Sequence, residues 1–114
     1  MFCPRIAITA GEPAGIGPDI VLMAAQQPWE AELVAVADPA LLQQRAMALD
    51  LPIELRIYDN RTTAGPHQPG ILTVAPVTLT APATPGTLDS ANAAYILQTL
   101  QQAADGCISG DYHA

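Results

Sequence analysis

The sequence contains no lysine, and its only cations besides the amino terminus are Arg5, Arg45, Arg56 and Arg61. Against 11 carboxylates they leave a formal net charge of −7. Proteins that grip nucleic acid neutralise its phosphates with clustered lysine and arginine, which argues against that class of partner. The same shortage bears on phosphorylated small molecules. If the protein handles one, most of the grip has to come from further chain or from a partner subunit. Aromatic residues make up 4 % of the chain, so any core is built from Ala, Val, Leu and Ile. No apolar run approaches the ~18 residues needed to cross a bilayer. The opening Met1-Phe2-Cys3-Pro4-Arg5 leads into an apolar run too short for a secretory segment. The reading is a soluble cytoplasmic protein with no membrane partner.

Cysteine is nearly absent as well. Cys3 and Cys107 form no CxxC pair and no zinc pattern, and nothing nearby lowers a thiol pKa, so both read as reduced and inert. His67 lies in a Gly/Pro-rich loop and His113 almost at the end. Both read as solvated, and neither is assigned a role. No catalytic residue and no metal ligand is assigned within the chain.

What is present is a chain of 114 residues, half of them hydrophobic, enough for one small domain with a modest core. Arg5 to Thr9 is short, apolar and β-branched and reads as a buried strand in the sheet interior. Pro18 opens a helix that runs to Gln27, with Ile20, Met23, Ala24 and Gln27 on one face and Pro28 as its stop. Leu33 to Ala37 is a second buried strand. Asp38 caps the next helix, Pro39 takes its first position, and Leu42, Ala46 and Leu49 face inward. Ile53, Leu55 and Ile57 alternate with Glu54 and Arg56, which predicts a strand with one wet face near an edge.

After a loop from Asn60 to Gly70, Ile71 to Val77 reads as a fourth strand, with Pro76 arguing against a central position. Ala81 to Thr87 is a Pro-rich connection. Ser90 begins the clearest helix, in which Ala93, Ile96, Leu97, Leu100, Ala104, Cys107 and Ile108 share an apolar face. Gly106 lies inside it at a cost of ~1 kcal/mol relative to alanine, and Gly110 is its C-cap. Strands alternating with helices give an α/β fold with an at least partly parallel sheet, residues 1–114 forming one segment. A long amphipathic helix after a strand normally feeds another parallel strand. Only Asp111 to Ala114 follow here, too few to form one, so the sequence reads as cut before the sheet is complete.

One segment stands apart: Gly11-Glu12-Pro13-Ala14-Gly15-Ile16-Gly17-Pro18-Asp19. It joins the carboxyl end of a strand to a helix, where open α/β sheets bind ligands. Its glycines let backbone approach a ligand closely, and the helix start offers N–H groups to an anion. The alternative is a turn that needs glycine for its own geometry. Nucleotide loops fit poorly. The phosphate-cradling P-loop needs a lysine, and the dinucleotide fingerprint fails on its third glycine, where Ile20 stands. Asp38 sits where a ribose-binding acid would, though capping explains it too. If the loop works through its backbone, valine at Gly15 or Gly17 costs ligand affinity more than stability.

That segment resembles the amino-terminal signature of the 4-hydroxythreonine-4-phosphate dehydrogenases. The resemblance extends to the Ala37-Asp38 turn, Leu49-Asp50-Leu51-Pro52, Asn92 to Tyr95, and Asp105-Gly106-Cys107-Ile108-Ser109-Gly110. It implies a partial isocitrate/isopropylmalate dehydrogenase-like fold and a homodimeric enzyme using NAD or NADP and a divalent metal (Zn, Mg or Co). It also implies a small phosphorylated hydroxy amino acid as substrate: 4-phosphooxy-L-threonine is oxidised and the 3-oxo acid decarboxylates, in pyridoxal 5'-phosphate biosynthesis. The family's metal-binding and phosphate-binding motifs match no residue here, so the chain alone is expected to be inactive. The cofactor-binding or cleft-lining residues are then Gly11, Glu12, Pro13, Ala14, Gly15, Ile16 and Gly17. Glu12 is the ionisable group among them, able to order a ligand hydroxyl or the neighbouring backbone. A freestanding nucleotide-binding module and a non-functional remnant stay open beside this reading, and translating the coding DNA past Ala114 separates them.

Overall fold

The run from Arg5 to Thr9 forms strand β1, and the chain then alternates helix and strand; residues 2–114 are described in this computed structural model. Helix α1 spans Gly17–Ala24, β2 Glu32–Ala37, α2 Pro39–Ala48, β3 Glu54–Ile57 and β4 Ile71–Pro76. A 3-10 turn at Ser90–Asn92 leads into α3, Ala93–Ser109. The strands form one four-stranded sheet in the order β1-β2-β4-β3, with every neighbouring pair parallel. Helices α1 and α2 pack Val21, Leu22, Leu42 and Ala46 on one face, against Leu33, Ala35, Leu72 and Val74. Tyr95 of α3 and Tyr112 beyond it pack on the other, against Val34, Val36, Ala75 and Val77. Covered on both faces, β2 has no polar position after Glu32, as a central parallel strand requires.

Two strand positions differ from expectation. Strand β1 is at the edge of the sheet, because an apolar run reports covered faces and says nothing about how many strands flank it. Its outer side takes the segment after α3. His113 N–H donates to Arg5 O and Ala7 N–H to Ala114 O, both at 2.8 Å, and Arg5 N–H donates to the His113 ring Nδ1 at 2.9 Å. His113 is therefore exposed, as expected, yet bonded. Strand β4 is central in spite of Pro76. Val77 N–H reaches Ala37 O on β2, while Val74 O accepts from Tyr58 N–H on the β3 side. Alternate residues face alternate neighbours, so Pro76 faces the β3 side, beyond the last β3 pair at Ile57 and Val74. The missing N–H costs nothing there. Strand β3 is an edge, as its alternation predicts.

Helices α1 and α3 bury a different stripe from the predicted one. Helix α1 ends at Ala24 and buries Pro18, Val21 and Leu22, leaving Ile20 and Met23 about half exposed. Apolar residues surround this helix, so spacing alone cannot choose between two equally periodic stripes. Helix α3 buries Tyr95, Thr99 and Gly106, and leaves Leu97 at 67 % and Ile108 at 86 % exposure. Tyr95 decides the rotation, because the one aromatic of the helix carries the largest apolar surface and its hydroxyl finds a partner on β2. The cap at Gly110 is in the left-handed conformation, φ +88°, as predicted. His67 is buried, contrary to expectation, because its Nε2 donates to Ala25 O at 2.8 Å and its backbone N–H to Ala31 O. Arg5 is buried too: it pairs with Glu32 at 2.9 Å, bonds Tyr58 Oη and Thr62 O, and lies over the Tyr58 ring.

Gly106 is required rather than tolerated. A Cβ there would lie 2.3 Å from the Tyr112 ring, while Tyr112 N–H bonds Gly106 O at 3.0 Å. Gly106→Ala gains ~1 kcal/mol of helix propensity and loses more by displacing the ring, for a net loss of about 1–2 kcal/mol. Urea denaturation is expected to show that loss, and Tyr112→Ala in the same chain is expected to make Gly106→Ala neutral or favourable.

Candidate functional site

The segment from Gly11 to Gly17 crosses the carboxyl end of β1. Helices α1 and α2 lie on one face of the sheet and α3 on the other, and the chain after α3 returns to the outer side of β1. The segment thus lies at the carboxyl end of the parallel sheet, the end at which open α/β sheets bind ligands.

Within the segment, Gly11 has φ +73°, which few residues but glycine adopt. Pro13 and Ala14 are buried, Gly15 and Ile16 are exposed, and Gly11, Glu12 and Gly17 are half-buried. Glu12 organises the turn with its own atoms. Its Oε1 accepts from Ala14 N–H at 3.1 Å, and its carbonyl accepts from Gly15 N–H at 3.0 Å. Ile16 opens α1 with no side-chain cap, so N–H groups at that helix start are left to solvent or a ligand. Residues well beyond the loop in sequence complete the site. Gly86 N–H donates to Ala14 O at 2.9 Å. A recess of 260 Å³ lies between Glu12 and Leu88, Asp89, Ser90, Ala93 and Ile96. Sequence reasoning missed these partners, although Pro85-Gly86 is a legible turn and Asp89 a legible helix cap. Larger concavities on the outer face of α3 and along Ile57 to Arg61 are open surface.

At Gly17 the geometry answers the question left open by spacing. A Cβ would lie 1.8 Å from Ala10 O, so the start of α1 passes against the end of β1 with no room for a side chain. At Gly15 the nearest atom is Glu12 O at 3.3 Å, tight but not forbidden. Asp38 is likewise a structural residue. Its Oδ1 accepts from Ala40 N–H at 2.8 Å and its Oδ2 from Leu79 N–H at 2.7 Å, which leaves the ribose role without a free oxygen. Asp38 N–H donates to Tyr95 Oη at 3.0 Å, and burial pushes the Tyr95 phenol pKa up. Asp19 sits in the first turn of α1, as expected of a carboxylate near a helix dipole. It is also held by Arg45 in a two-pronged ion pair at 2.7 and 2.9 Å. That hydrogen-bonded guanidinium lowers the Asp19 pKa below the ordinary carboxylate value. Among the described residues, no three His, Cys, Asp or Glu side chains come together as a metal site, and no helix is long and apolar enough to cross a membrane.

A family model described as "Pyridoxal phosphate biosynthetic protein PdxA" matches residues 29–114. The chain is 52 % identical over 110 residues to a 4-hydroxythreonine-4-phosphate dehydrogenase of Serratia proteamaculans, covering 96 % of this chain and 33 % of that protein. It is 53 % identical over 111 residues to the enzyme of the same name from Thioalkalivibrio sulfidiphilus, covering 97 % and 34 %. The crystal structure of 4-hydroxythreonine-4-phosphate dehydrogenase from Klebsiella pneumoniae has the same fold, with a TM-score of 0.83 at 24 % identity over 97 % of this chain and 35 % of that one. The chain thus spans about a third of the length of the curated relatives it matches.

Two outcomes follow from the loop geometry. Gly17→Ala is expected to cost about 3 kcal/mol or more in denaturant unfolding, because backbone rather than a flexible side chain blocks the new methyl. Asp19 has its pKa lowered in the folded state, so its contribution is full above the unfolded value of about 3.9 and is lost as pH falls through the folded value. Asp19→Asn is therefore expected to be less stable than the parent chain at pH 7. The gap between their melting temperatures is expected to close below about pH 4.

Proposed function

The chain belongs to the family described as pyridoxal phosphate biosynthetic protein PdxA, and we propose that it is the amino-terminal third of a 4-hydroxythreonine-4-phosphate dehydrogenase. In this reading the whole protein is a homodimer that oxidises 4-phosphooxy-L-threonine with NAD or NADP and a divalent metal, and the 3-oxo acid then loses carbon dioxide. Its fold is the isopropylmalate dehydrogenase-like one, of which these strands are a part. The observation that carries the reading is identity above 50 % to two dehydrogenases across nearly the whole of this chain.

The part assigned to these residues is limited by what they can do. No group of donors among the described residues fits a metal, so no metal-dependent step is assigned to them. For the nicotinamide cofactor, the fit rests on the crevice at the end of β1, with the loop backbone and the uncapped start of α1 turned to it. Asp38, buried and with each carboxylate oxygen already bonded, is given no ribose role. The cofactor supplies the hydride acceptor when bound. The loop Gly11 to Gly17 lines the cleft, and Glu12 holds the turn through Ala14 N–H while its second carboxylate oxygen is left for a ligand hydroxyl. The phosphate, carrying negative charge, is held by residues outside this chain, since Arg5 and Arg45 are already paired with Glu32 and Asp19.

The test is a chimaera in which residues 1–114 replace the matching third of the Serratia proteamaculans relative. It is expected to form NADH or NADPH from 4-phosphooxy-L-threonine in the presence of divalent metal, while residues 1–114 alone show no turnover and self-associate by light scattering. A chimaera that folds and dimerises yet shows no turnover would count against the reading. Metal-dependent turnover by the 114-residue chain would overturn the placement of the catalytic groups elsewhere.

A further inference from the structure

The connection between β4 and α3 is fixed at its two ends and nearly free between them. At the first end, Leu79 N–H donates to Asp38 Oδ2 at 2.7 Å and Ala81 N–H to Asn92 Oδ1 at 2.9 Å. At the second, Asp89 Oδ1 accepts from Ala91 N–H at 2.9 Å, and the Asn92 side chain is buried at 1 % exposure. From Thr84 to Ser90 every residue is exposed, Leu88 at 79 %. The tip is a self-contained turn. Thr87 N–H donates to Thr84 O at 3.0 Å, with Pro85 first and Gly86 second at φ +79°, the arrangement of a type II turn. Among the described residues, one hydrogen bond joins the stretch 82–88 to the rest of the molecule, the bond from Gly86 N–H to Ala14 O.

We propose that residues 81–90 are a hinged strap over the glycine loop, latched at its tip by Gly86 N–H on the Ala14 carbonyl. A segment is held shut by what its opening would break or uncover. Opening this one breaks a single hydrogen bond to the loop, and the side chains of its tip already face water. The turn at the tip keeps its own bond and moves as a unit, while the bonds at Ala81 and Asn92 hold the hinges. Leu88 and the residues beside it form one wall of the 260 Å³ recess whose other wall includes Glu12. Swinging the strap outward widens that recess, and closing it brings the Gly86 amide back onto the loop. The latch lands on backbone between Glu12 and Gly15, so the strap reports on the same turn that Glu12 organises. Only the identity of what enters, a nicotinamide dinucleotide or the phosphorylated substrate, rests on the functional reading above.

Amide hydrogen exchange, read residue by residue by NMR on the whole chain, tests the strap. The Gly86 and Thr87 amides are expected to exchange at least about 100-fold faster than those of Val34 and Val36, through a local opening that low urea does not accelerate. No atom lies within 4 Å of a Cβ at Gly86, so substitution there acts through φ alone. Gly86→Val, which cannot hold φ +79° without strain, is expected to speed Thr87 exchange about tenfold and leave the melting temperature and the sheet amides unchanged. Gly86→Asn, which tolerates that φ, is expected to resemble the parent. Exchange at Gly86 as slow as in β2, or a Gly86→Val chain whose sheet melts with its strap, would overturn the proposal. Adding NAD or NADP to the chimaera described above, with exchange read by mass spectrometry, separates the two ideas. Fast local opening that neither cofactor slows leaves the strap standing and counts against the cofactor reading alone.

Discussion

Asp38 joins three parts of the molecule that have no other common anchor. It follows β2, a strand with a neighbour on each side and a helix layer over each face. One carboxylate oxygen starts α2, the other holds the chain leaving β4, and its N–H meets the hydroxyl of Tyr95 from α3. A buried carboxylate is tolerable only when its lone pairs are occupied, and here both oxygens have partners. The rotation of α3 depends on the Tyr95 contact, and the start of the strap depends on the Leu79 contact.

The glycine loop shows how a structural requirement and a proposed ligand site share the same residues. The start of α1 passes Ala10 so closely that position 17 admits no side chain. The same passage sets the uncapped helix start beside the carboxyl end of β1. Glycine at 17 is thus explained by the turn alone, while Glu12 borders the recess and Ala14 takes the bond from Gly86. The relatives of this chain are about three times its length, and all four arginines here are already paired.

Much of the fold was legible from local chemistry. The strand–helix order, the cap at Asp38 with Pro39 behind it, the edge character of β3 and the C-cap at Gly110 all depend on neighbours in sequence, and all stand in the structure. The inward faces of α1 and α3 were not legible. Helix α1 is apolar on several sides, and α3 buries Tyr95, Thr99 and Gly106 instead of its more apolar stripe, so only the sheet beneath selects the face. Pro76 misled for a related reason. A proline in a strand forbids a hydrogen bond on one side only, and the sequence does not say which side lacks a partner.

The sequence by itself determined the family, the α/β alternation and the position of the loop from Gly11 to Gly17, because motif residues and turn chemistry act over a few neighbours. It also determined the deficit of cations, which no folding can change. The tertiary structure decided that β1 is an edge strand, that His67 and Arg5 are buried, that Asp38 has no oxygen for a ribose, and that Gly106 makes room for Tyr112. It also brought Gly86 and Leu88 to a loop some 70 residues earlier in the chain. Each of these is a contact between distant segments, and its energy depends on which surfaces the folded layers bring together.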